Sequence, residues 1–268
     1  MSRSINLSSR TKTIALIAIF AALFAVLRRM DTIPMIGVEG ARFSLSDILP
    51  AIYGIILGPF TGGISVIIGT FIAIAMGKPV IFLFLDFLPA FINTVAIGLL
   101  VRRKWWPAVL LYIALLVTFL VNPLTSIFID IGGVAVPFVW LHIVAFIVLL
   151  SPIGRQAGQW VESLKPTLLT AGIAILAFIG TMMQHLMGNI LYEVVLNQFY
   201  ILAGQDPLVG SAAYPGIWSL TFFLYPWERL ILILLAVVVG VPLVRVLKTT
   251  FFRSEKQPTL ETKNLSSV

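Results

Sequence analysis

The chain has 268 residues, of which 59% are hydrophobic and 11% charged, with a mean hydropathy of +1.05 and a formal net charge of +7. A soluble domain carries roughly 25% charged residues, so polar surface is too scarce here for a water-exposed globule. The lack of cysteine excludes disulfides, thiolate metal sites and a cysteine nucleophile.

Apolar stretches long enough to cross about 30 Å of hydrocarbon recur along the chain. They predict an all-α integral membrane protein, a polytopic helix bundle of about eight segments. In chain order these are Thr13–Leu27, Ser44–Leu57, Gly62–Met76, Val80–Val101, Ala108–Ile129, Pro137–Leu150, Thr167–Tyr200 and Ile217–Leu247. Barrel strands would alternate polar and apolar residues, whereas Leu110–Val121 and Leu230–Val241 are apolar on every face. The second and third segments are short, so spanning twice and re-entering both stay open. Residues 1–250 read as one transmembrane domain and 251–268 as a polar cytoplasmic tail.

The first segment follows Arg3, Arg10 and Lys12, lacks a cleavage pattern and runs into Arg28–Arg29, which predicts a retained span rather than a signal peptide. It carries Ala15, Ala18, Ala22 and Ala25 on one face, with Ala21 beside them. Small residues let a second helix approach closely in lipid, so this face docks either within the bundle or on a separate subunit. The linker Arg28–Phe43 reads as a lid over a cavity or as a plain connector.

The run Gly54-Ile55-Ile56-Leu57-Gly58-Pro59-Phe60-Thr61-Gly62-Gly63 predicts a tight helical hairpin. With the alanine-faced first helix, the long first linker and the basic-aromatic turn Arg102-Arg103-Lys104-Trp105-Trp106, it resembles the substrate-binding S components of energy-coupling factor (ECF) vitamin transporters. The resemblance covers about residues 13–150, the six segments of that family's fold, and leaves 167–247 as about two additional helices. It implies a ligand-binding subunit that takes up a vitamin-like small molecule. It also implies docking, through Ala15, Ala18, Ala22 and Ala25, on a transmembrane coupling subunit driven by separate ATPase subunits.

With the N-terminus inside, thirteen of the eighteen Lys and Arg residues fall on cytoplasmic segments, which predicts both termini in the cytoplasm. The positive charge suits anionic lipid. No basic run is interleaved with aromatics, so nucleic acid is not an expected partner. P-loop, H-E-x-x-H and G-x-S-x-G patterns are missing from the sequence, and neither a metal nor a cofactor is expected.

Ionisable and amide side chains in hydrocarbon are costly and usually face a cavity or one another. Three sets qualify by spacing: Asp86 with Asn93, Asn122 with Ser126 and Asp130, and His185 with Asn189 and Glu193. Arg229 is a candidate partner for Glu193. These stripes, with Trp140, Trp218 and Tyr225 for stacking, are the candidate substrate-binding residues. Helix-to-helix hydrogen bonding is the competing reading for each stripe. His142 and His185 lie in different segments and read as interior side chains rather than haem ligands. An intramembrane enzyme or redox subunit acting on lipid, quinone or haem remains the alternative class, and a purely structural assembly subunit a third.

Overall fold

A computed structural model describes residues 9–163 and 165–250, and the expected tail 251–268 lies outside the described residues. Helix α1 (Ser9–Arg28) rises to a short antiparallel hairpin, β1 (Asp31–Pro34) with β2 (Arg42–Ser44). A 3-10 turn, Leu45–Ile48, leads into α2 (Leu49–Ala75). This stretch has the length of one span, but its two ends meet. The Leu45 amide donates to the Met30 carbonyl at 2.9 Å, while Lys78, just past the far end, pairs with Asp31. The reversal is at Gly58, whose φ of 78° suits glycine, followed by Pro59, which cannot supply a helical N–H. A methyl on Gly62 would sit 3.0 Å from the Tyr53 carbonyl oxygen, so the two arms lie in backbone contact.

Glycines also set the depth of that hairpin. Gly54 meets the backbone of Thr94 and Gly98, and Gly98 lies directly against the Gly58–Pro59 peptide. The tip of α2 therefore reaches the C-terminal end of α3 (Leu88–Val101), where Arg102 folds over Gly58. Two arms crossing the full bundle satisfy this; a shallow re-entrant loop does not.

The fourth and fifth apolar segments are only partly helical. Residues Val80–Phe87 form a turn in which the Asp86 carboxylate accepts the amides of Ile81 (3.0 Å) and Phe82 (3.2 Å). Leu83 and Phe84 there take φ of 49° and 67°. A carboxylate that captures backbone donors competes with the helix for them, so α3 starts only at Leu88. Helix α4 (Trp105–Leu120) likewise stops early. The chain then forms β3 (Phe128–Ile131) and β4 (Val134–Pro137), joined at Gly132 and Gly133, both at positive φ.

Helix α5 (Trp140–Leu150) bends by 69° into α6 (Pro152–Ser163), at an extended Ser151 that precedes Pro152. The buried face of α6, Gly154, Ala157, Gly158 and Val161, packs on the ends of α3 and α7. Arg155 on its other side lies over the Trp105 ring at 4.2 Å. Helix α7 (Pro166–Glu193) continues through a π-turn, Val194–Phe199, and α8 (Tyr200–Leu202), making one helical stretch from Pro166 to Leu202. It is the hub, touching α2, α3, α4, α5, α6 and α9 (Tyr214–Thr250). Among the described residues, Arg10–Arg28, Pro166–Leu202 and Ser211–Leu247 are each long and apolar enough to span, and α3 and α4 are shorter apolar helices. The molecule is an all-α membrane bundle with two small β-hairpins at one end and Arg102, Arg155 and Lys165 toward the other.

Candidate functional site

A cavity of about 270 Å³ opens between the tip of α1, the first β-hairpin, the 79–90 turn, and helices α7 and α9. Its roof is the Arg28–Phe43 segment, which contributes Ile33, Pro34, Met35, Ile36 and Arg42. The roof is held at two points. Lys78, itself buried, pairs with Asp31 and donates to the Arg42 carbonyl at 3.2 Å. The Tyr192 hydroxyl donates to the Ile36 carbonyl at 2.6 Å, beside Gly37, where a side chain would collide with it.

The wall from α7 and α9 is aromatic: His185, Tyr192, Trp218 and Tyr225 line the cavity. Three of them commit a polar atom to the scaffold. Trp218 Nε1 donates to Leu124 O at 2.8 Å and the Tyr225 hydroxyl to Phe138 O at 3.1 Å. His185 Nδ1 lies 3.0 Å from His142 Nε2. The wall thus offers ring surface suited to a flat unsaturated ligand.

Its polar side is built by Arg28, Asp47, Gln184, Asn189 and Arg229. Asp47 accepts from Gln184 Nε2 (2.9 Å) and the Ser44 amide (3.4 Å), and Asn93 buttresses Gln184 from behind at 2.8 Å. Arg28 donates to the Asp86 carbonyl at 3.1 Å. Arg229 pairs with Glu228 at 2.7 Å and donates to Thr181 Oγ1 at 3.3 Å. Arg28 Nε, Asn189 Nδ2 and Arg229 Nε are buried with no protein partner. Buried donors without partners are uncommon, and all three belong to residues lining one cavity.

The structure brings Asp86, His185, Asn189, Trp218 and Tyr225 to the cavity and keeps the other candidates from it. Asp86 and Asn93 do not share a helix face, because Asp86 belongs to the turn before α3 and Asn93 sits behind the wall. Asn122, Ser126 and Asp130 do not form a stripe either, since the helix ends at Leu120. Asn122 caps a turn by accepting the Leu124 amide (3.0 Å), and Asp130 accepts the Gly133 amide at the tip of the second hairpin (2.8 Å). Trp140 lines a separate apolar depression with Phe178, Phe222 and Trp227. Glu193 is fully buried, its Oε1 2.6 Å from Thr125 Oγ1, and Arg229 is committed to Glu228 instead. Of the alanine face, Ala15, Ala18 and Ala22 are exposed, but Ala25 is buried where α1 meets the α2 hairpin. Arg28, Asp47 and Gln184 escaped the sequence reading because they stand beside segment ends or outside the spaced stripes. A charged pair flanking a long linker was the available signal for the first two.

Outside the helices, the Lys78 hydrogen bond and charge hold the Asp31 carboxyl below its ordinary value of 3.8. A depressed carboxyl contributes stability above that value and loses it as pH falls below. Asp31 is about half exposed, so its effect is confined to the roof. A spin label at a cysteine replacing Glu39 is expected to gain mobility below about pH 3.8. In a Lys78→Met background it should already be mobile at pH 7, with no further acid step. Equal mobility of the two proteins at pH 7 would show that the pair does not fasten the roof.

Residues 8–150 match the family model described as "ECF-type riboflavin transporter, S component". Neither the curated proteins nor the solved structures give a match. The match ends before α6, so Gln184, His185, Asn189, Trp218 and Arg229 all come from helices beyond it. Since the matched stretch covers more than half of the chain and contains the α2 hairpin and the roof, this protein belongs to the family of ECF-type riboflavin transporter S components, membrane-embedded substrate-binding subunits of transporters.

Proposed function

We propose that this subunit captures riboflavin or a close flavin relative from the outer side. It then delivers the vitamin inward in an assembly with a transmembrane coupling subunit and ATPase subunits. The observation that carries the ligand reading is the cavity itself, lined by an aromatic wall and by polar residues that keep partnerless buried donors, beneath a tethered β-hairpin. Ring faces stack on the isoalloxazine, and the donors orient its polar edge. The family supplies the vitamin class. The two histidines spend facing nitrogens on each other, and no observation favours the enzyme or redox alternative.

Titration of the purified protein with riboflavin should quench flavin fluorescence saturably. Asn189→Ala should weaken that binding by about 1–3 kcal/mol, the loss expected for an unpaired polar contact. The apo melting temperature should hold, because Asn189 Nδ2 has no protein partner to lose. Unchanged affinity with a lowered melting temperature would make Asn189 a helix-packing residue.

Coupling is assigned to the exposed alanines of α1. Ala15, Ala18 and Ala22 leave a smooth strip on a helix that is mostly uncovered. Ala18→Leu with Ala22→Leu should abolish cellular riboflavin uptake while leaving riboflavin affinity within about twofold, roughly 0.4 kcal/mol. Loss of both together would mean the strip packs internally.

Orientation follows from the basic-residue asymmetry, with both termini cytoplasmic and the hairpin end outside. Because the chain contains no cysteine, a single cysteine at Gly132 should react with an impermeant maleimide on intact cells, and one at Lys104 should not. The reverse pattern would invert the transporter.

A further inference from the structure

The charged groups around the cavity are arranged unlike a structural ion network. Asp47 lies close enough to Arg28 and Arg229 for each to act on it electrostatically. Yet no direct ion pair joins Asp47 to either arginine among the described residues. Its hydrogen bonds are those from Gln184 and the Ser44 amide. Both arginines meanwhile keep a buried Nε without a partner. A network serving only stability would close these contacts, because a buried donor left open costs free energy.

Formal charge narrows what completes the arrangement. Arg28, Arg42, Lys78 and Arg229 line the cavity, against Asp47, Asp86 and Glu228, with Asp31 paired to Lys78. Four basic groups therefore face four acidic ones, and the site carries no excess charge with which to hold an anion. A neutral ligand satisfies it if it offers acceptors to the two guanidinium groups and a donor to the carboxylate. A cyclic imide, C(=O)–NH–C(=O), presents that acceptor–donor–acceptor order along one edge, and the pyrimidine ring of a flavin has this edge.

We propose that Arg28, Asp47 and Arg229 form a reading head for the imide edge of a neutral flavin, with Asp47 accepting the ring N3–H and the arginines donating to the flanking carbonyls. This deepens the riboflavin assignment and rests on it. It also divides recognition between the two parts of the chain: Arg28 and Asp47 lie inside the family match and Arg229 beyond it. Gln184 positions the Asp47 carboxylate, and Asn93 positions Gln184.

The test compares riboflavin with N3-methylriboflavin, in which a methyl replaces the proposed donor and blocks the approach to Asp47. Fluorescence quenching on the purified wild-type protein should give at least tenfold weaker binding for the methylated compound. Asp47→Asn should weaken riboflavin binding and reduce that discrimination to about threefold or less, since the carboxylate is what selects the N–H. If Asp47→Asn melts at a much lower temperature, Arg28→Gln provides the second variant, expected to weaken both flavins in parallel by tenfold or more. Equal affinity of wild-type protein for the two flavins would overturn the imide reading while leaving riboflavin as the ligand. Full discrimination retained in Asp47→Asn, or unchanged binding in Arg28→Gln, would likewise overturn the assignment to these residues. No saturable riboflavin binding to the wild type would instead remove the flavin assignment on which the inference rests.

Discussion

Hydrocarbon offers no hydrogen bonds, so a helix that carries polar side chains across a membrane must find a protein partner for each of them. Helix α7 carries Thr181, Gln184, His185, Asn189 and Glu193 along its buried length, and the bundle is arranged around that requirement. Arg229 of α9 reaches Thr181, Asp47 and Asn93 hold Gln184 from two sides, His142 of α5 meets His185, and Thr125 meets Glu193. Each bond fixes a different neighbour against the same helix. The exception is Asn189, whose Nδ2 is buried with no protein partner although the residue lines the cavity. Structural demand and part of the cavity's polar lining thus come from one stripe.

The close contacts on the family-matched side follow a different rule. There, glycine removes side-chain bulk so that backbones touch: Gly54 on Thr94, Gly62 on Tyr53, Gly69 on Ala21 and Gly98 on the Gly58–Pro59 turn. Dispersion across such contacts replaces the hydrophobic drive that lipid cannot supply. The outcome is a tightly held set of α1, α2 and α3, on which the roof hairpin and the charged residues Arg28 and Asp47 are mounted. The later helices contribute most of the aromatic wall. Neither part encloses the cavity by itself, so the matched segment alone does not form it.

How much of this was legible in the sequence depended on whether the signal was local. The bundle class and the reversal at Gly58–Pro59 are written in composition and in one dipeptide. Residues 80–87 misled because Ile81-Phe82-Leu83-Phe84-Leu85 has helical hydropathy, and nothing in hydropathy reports that Asp86 will capture two amides. The second hairpin carried a readable sign, Gly132-Gly133 between β-branched residues, but its apolar letters merged with the preceding span. The His142–His185 contact joins positions 43 apart, and no periodic pattern on either helix announces it. Arg28 and Asp47 were hidden for the opposite reason: polar residues beside a linker look solvated, and only the folded roof encloses them.

That roof also joins the two parts of the bundle. The β1–β2 hairpin is tied down by Lys78 on one side and Tyr192 on the other, one anchor just past α2 and one on α7. Its links therefore bridge the glycine-packed part and the polar hub, the same two parts whose relative placement shapes the cavity. Any shift of α7 against α2 changes the span between the anchors, and any ligand that fixes both walls fixes that span. A ligand would act on the roof only through contacts it makes differently when the roof is held and when it is released. Residues placed to make such contacts line both sides of the cavity: Arg28 and Asp47 on the α1–α2 side, and Asn189 and Arg229 on the α7–α9 side.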